Sequence, residues 1–186
     1  MKLINKLVLV SAIGAAMAFG ATASFAAAPA APAAHAPKAK NWTPPAHKIY
    51  AQKLSEEIMA KHPELISVTF HGTPPGSPAK LYTMYAGSLL DRIGNVDDFD
   101  DVMVIETGIT ILDPRWHRTT DPVKKFLSML PMRDKAGENI GLLVLAYKVP
   151  FKGFKNDHDY YKASIALRDG LQKKIASHVA MFDEVK

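Results

Sequence analysis

The stretch FLSMLPMRDKAGENIGLLVLAYKV, residues 126–149, decides the fold. Its middle, from Arg133 to Asn139, is polar and carries Gly137, while apolar runs flank it on both sides. That pattern predicts a hairpin of two strands, 126–132 and 140–149. The second run is apolar on both faces apart from Lys148, as expected of a central strand covered on both sides. Pro131 places an edge or a bulge near the end of the first strand.

Working outward, Ile66, Val68 and Phe70 alternate with Ser67, Thr69 and His71, the period of a strand. The proline-rich loop 73–78 separates it from a second alternating run at 81–86. Ile93, Gly94 and Asn95 then break the pattern. Asp97, Asp98, Asp100 and Asp101 crowd the front of a short apolar segment ending near Glu106. Aspartates there cap free amides and sit well against the positive end of a helix. Another strand spans 109–113. Helices are expected at both ends. Tyr50, Leu54 and Ile58 recur four apart after Pro44 and Pro45 and stop before Pro63; Leu167, Leu171, Ile175, Val179 and Phe182 form one stripe along a helix over 159–182. Strands grouped between helices argue for an α+β domain with a largely antiparallel sheet.

The chain has 186 residues, enough for one domain, with 48% hydrophobic and 22% charged residues and a formal net charge of +5. It contains no cysteine, which excludes disulfides, thiolate metal sites and covalently attached haem. The basic residues are scattered and the charge is modest, so nucleic acid is excluded as a partner. Lys2 and Lys6 precede an uncharged run ending at Ser24, Phe25 and Ala26, the layout of a cleavable signal peptide over residues 1–26. Residues 27–45 alternate alanine with proline and read as a semi-rigid linker. The domain proper is then 46–186, periplasmic, with no membrane span after signal cleavage.

The leading helix, the Ile93-Gly94-Asn95 break before the acidic short helix, and the run from Leu130 to Gly141 resemble an extracytoplasmic Cache/PAS-like sensor domain. The resemblance covers residues 46–185. It implies a five-stranded antiparallel sheet, flanked by the N- and C-terminal helices, with a small-molecule pocket between one sheet face and the connecting segments. No transmembrane helix and no output region follow, so such a sensor would act through another protein.

His71 ends its strand beside a rigid loop, where a histidine can hydrogen-bond a ligand. Arg115 and Trp116 follow the 109–113 strand; an arginine fork suits carboxylates and a tryptophan supplies an apolar wall. The expected ligand-binding set is His71, Tyr82, Tyr85, Arg115, Trp116 and Arg133. The reading is thus an exported domain that binds or senses a small molecule, an organic anion by the chemistry of Arg115. An envelope protein-interaction module without ligand and a haem or metal carrier stand as alternatives. No nucleophile elbow, His-Glu-x-x-His pair or phosphate loop is present, so no catalytic residue, metal ligand or cofactor is assigned.

Overall fold

A computed structural model describes residues 38–114 and 123–186. The expected signal peptide, most of the expected linker, and Arg115 and Trp116 lie outside the described residues.

The elements run α1 (Tyr50–Lys61), β1 (Leu65–Gly72), β2 (Thr83–Gly87), α2 (Phe99–Thr107), β3 (Ile111–Asp113), β4 (Lys125–Arg133), β5 (Asn139–Lys148) and α3 (Asp157–Gln172). The strands form one antiparallel sheet in the order β2-β1-β5-β4-β3. The hairpin expected at 126–149 is its centre. Leu142, Leu143, Leu145, Ala146 and Tyr147 are all buried, because β5 is covered on both faces. Pro131 pairs with Leu142 beyond Met129, the last residue of β4 that β3 reaches, and the register shifts just after it at Met132. The α+β class and the five-stranded antiparallel sheet therefore stand.

One face carries the larger core. Val68, Phe70, Tyr85, Phe126, Leu130, Leu143, Leu145 and Tyr147 pack with Leu54 and Ile58 of α1 and Tyr160 and Leu171 of α3. The buried residues of α1, Ala51, Leu54, Ser55 and Ile58, follow the three- and four-residue spacing of one helical stripe. Beneath α3 lies a small polar knot. The Ser164 hydroxyl sits 2.8 Å from that of Ser128 and 3.0 Å from that of Tyr147.

The opposite face is covered by α2, whose Val104 packs with Leu127, Met129, Leu142 and Ala146. This helix starts at a capping box, in which the Asp101 carboxylate accepts the Asp98 amide at 3.0 Å. It ends at Gly108, left-handed at φ 71°. No helix among the described residues is long and apolar enough to cross a membrane.

The C-terminal helix is shorter than its sequence stripe. It stops at Gln172, and only a 3-10 turn at Val179–Phe182 follows. The Ile175 carbonyl accepts the Lys135 amide of the β4–β5 turn at 2.9 Å, an acceptor turned out of any continuing helix. Ile175 and Met181 still bury fully, now as plugs at the end of the core.

Candidate functional site

The polar side of β1 carries Thr69 and His71, which alternation turns toward α2 and away from the larger core. Opposite them, the segment after Gly94 delivers Asp97, one residue before the N-cap of α2, and the first turn of α2 delivers Asp101. His71 Nδ1 donates to Asp97 Oδ1 at 2.7 Å, and Nε2 donates to Thr69 Oγ1 at 2.7 Å. The side chains of His71 and Asp97 are 10% and 1% exposed, so the pair is dry. Asp97 Oδ2 is buried and has no hydrogen-bond partner among the described residues. One donor atom from each of His71, Asp97 and Asp101 falls within 4.8 Å of the others.

The electrostatics follow from that crowding. Burial pulls the His71 imidazole toward its neutral form, but the nearby charges of Asp97 and Asp101 and the hydrogen bond from Asp97 outweigh it, raising its pKa to about 9. Burial raises the Asp101 carboxyl above its usual range, against the opposing charge of His71. At neutral pH the site is therefore an imidazolium held between two carboxyl groups.

A hydroxyl, an imidazole and a carboxylate in line also describe a general-base centre. Two facts oppose that use. Thr69 is only 6% exposed, and an imidazolium with a pKa about 9 cannot accept a proton at neutral pH. What the arrangement can do is hold a cation. A ring nitrogen of His71 and the carboxylates of Asp97 and Asp101 are the kinds of atom that ligate a metal, and the hydrogen bond between Nε2 and Thr69 fixes the ring.

Of the residues expected to line a pocket, only His71 lies in this cluster. Tyr85 is not at a cleft; it is 1% exposed in the larger core, with its ring against Phe70 and Phe182. Burial, and then the charge of Asp97, raise its phenol well above the usual range. Tyr82 donates to Glu106 at 3.0 Å on the surface, beside the Lys80–Glu106 ion pair. Arg133 donates to the Gly137 carbonyl at 2.8 Å and braces the β4–β5 turn. His71 and Tyr85 are buried, whereas Tyr82 and Arg133 make their hydrogen bonds at the surface. Sequence reasoning missed Thr69, Asp97 and Asp101 as partners of His71. Capping accounts for Asp98 and Asp101, but Asp97 precedes the N-cap, and that offset was the signal.

No family model matches this sequence, and no curated protein matches it. Among solved structures the chain is similar to a type II free methionine-R-sulfoxide reductase from Thermoplasma acidophilum, at 15% identity and a TM-score of 0.45, over 72% of this chain and 93% of that one. These findings correct the sequence reading. The structural likeness is to a reductase and not to a Cache/PAS sensor, and no family model supports the sensor resemblance. Nor do the comparisons support the expected ligand-binding sensor, the protein they find being a reductase. The same comparison gives no support to a signal peptide or to a secreted, periplasmic sensor.

Proposed function

We propose that this is a divalent-cation-binding domain, with His71, Asp97 and Asp101 as the ligands. The observation that carries the reading is Asp97 Oδ2, a carboxylate oxygen buried without a partner inside a cluster of metal-ligating side chains. A buried acceptor left unsatisfied typically costs about 1–3 kcal/mol, more when charged, and a cation beside it removes that cost. One imidazole and two carboxylates suit a first-row divalent cation such as Mn²⁺ or Zn²⁺. Binding displaces the proton that His71 carries at neutral pH, so uptake of the cation releases a proton.

The test is calorimetric titration of chelator-treated protein with Mn²⁺ and with Zn²⁺, followed by thermal melting. One-site binding and a raised melting temperature are expected, both lost in Asp97→Asn and in His71→Ala. Absence of heat and of any melting shift with both cations would overturn the proposal.

A further inference from the structure

Residues 38–42 lie as a strap along the segment that delivers Asp97. Lys40 bridges Asn95, the Val96 amide donates to the Ala39 carbonyl at 3.1 Å, and the Asn41 amide donates to the Gly94 carbonyl at 2.9 Å. The approach is close enough to require glycine at 94. Its φ is +88°, and a side-chain carbon there would stand 2.1 Å from the Trp42 carbonyl oxygen. So seated, the strap fixes the backbone next to Lys38.

Lys38 forms an ion pair with Asp98, the N-cap of α2. Asp98 belongs with Asp100 and Asp101 to a second group of carboxylates, one oxygen from each lying within 4.8 Å of the others. Asp101 is common to this group and to the cluster of His71 and Asp97. One carboxylate thus separates the Lys38 ammonium from a proposed ligand of the cation. The ammonium charge also reaches His71, where it works against the charges of Asp97 and Asp101. A positive charge that opposes an imidazolium in the site opposes a divalent cation there twice as strongly at the same distance.

We infer, resting on the cation-binding reading above, that Lys38 sets the affinity of the site as a tethered cation that competes with the divalent ion for the carboxylates at the start of α2. With the ammonium in place, Asp98 is neutralised and the incoming ion meets like charge at the rim. With it removed, the rim gains a free carboxylate and loses that repulsion. The Lys38 and Asp98 side chains are both exposed, so dissolved salt screens the effect.

The experiment is Mn²⁺ titration of the chelator-treated full chain at low and at high salt, comparing wild type with Lys38→Met, Lys38→Arg and Lys40→Met. At low salt Lys38→Met should bind Mn²⁺ about three- to tenfold more tightly, and the gain should shrink at high salt. Lys38→Arg keeps the charge and should match wild type. Lys40→Met removes the same charge two residues along the strap and should change the affinity less. The inference is overturned if Lys38→Met binds no more tightly than wild type. It is equally overturned if Lys38→Arg gains as much as Lys38→Met, or if Lys40→Met does, since the first result makes charge irrelevant and the second makes the effect one of net charge alone. Should neither wild type nor Lys38→Met bind Mn²⁺ or Zn²⁺, the cation reading itself falls and takes the inference with it. Binding by wild type that Lys38→Met leaves unchanged removes the inference alone.

Discussion

His71 Nδ1 and Asp97 Oδ1 stand 2.7 Å apart across 26 residues of sequence, one on β1 and the other just ahead of α2. The pair thereby ties the sheet to the helix that covers its smaller core. Because the pair is dry, the charged imidazole of His71 depends on the Asp97 carboxylate beside it.

Asp97→Asn leaves the shape and removes the charge. A buried ion pair broken on one side costs about 3–5 kcal/mol, because the remaining charge is stranded. Urea unfolding of the metal-free protein should show a loss of about 3 kcal/mol, and imidazole NMR should place the His71 titration lower than in wild type. A stability change under about 0.5 kcal/mol, the range of an ordinary surface substitution, would mean that no charged pair is buried there.

The pH dependence follows from the same pair. His71 has a pKa of about 9 in the fold against an ordinary 6.5. Below 6.5 both folded and unfolded chains hold the proton, and the full contribution to stability is present. As pH rises the unfolded chain loses the proton first, and the contribution is gone once pH passes the folded value. The melting temperature of the metal-free protein should therefore fall between pH 6.5 and about 9, and His71→Gln should remove that slope. An equal slope in wild type and variant would assign it to other groups.

Gly141 supports His71 from behind. Its φ is +140°, and a side-chain carbon there would stand 2.2 Å from the His71 carbonyl oxygen. Gly141→Ala must push β1 and β5 apart, and forced overpacking typically costs about 1–3 kcal/mol. Gly76→Ala, with φ +78° and open space around it, strains only its own turn and should cost less. Equal denaturation midpoints for the two variants would contradict the close strand approach at Gly141.

The knot at Ser164 makes a fourth case. Ser164→Ala deprives the buried hydroxyls of Ser128 and Tyr147 of a shared partner. Each unsatisfied buried polar group costs about 1–3 kcal/mol, so a loss in that range is expected from denaturant unfolding, without effect on cation binding. A change in Mn²⁺ affinity would show that α3 communicates with the opposite face.

Much of the fold was legible because it depends on local pattern. The run 140–149 is apolar on both faces, and only a strand with a layer on each side accommodates that. The β4–β5 turn and the α2 cap were readable for the same reason. The end of α3 was not. The stripe from Leu167 to Phe182 stays in helical phase, and it takes the turn at Lys135, forty residues upstream, to claim the Ile175 carbonyl. The site divides likewise. His71 was visible as a polar residue sharing a face with Thr69, but its partner lay in a run of aspartates whose local explanation, capping, was correct for Asp98 and Asp101 and incomplete for Asp97. Tyr82, Tyr85 and Arg133 have the right chemistry for a pocket, and only long-range packing shows that Tyr85 is buried in the larger core while Tyr82 and Arg133 bond at the surface.

Asp101 serves two masters: its carboxylate begins a nine-residue helix and also borders the charged pair. Removing its side-chain oxygens, as in Asp101→Ala, abolishes both duties at once. A variant that empties the cluster will also fray the cover over the smaller core, so loss of binding in such a variant cannot be read as loss of a ligand alone. Asp97, one residue ahead of the N-cap, has no part in the capping box, so its substitution leaves the first turn of α2 its own hydrogen bonds.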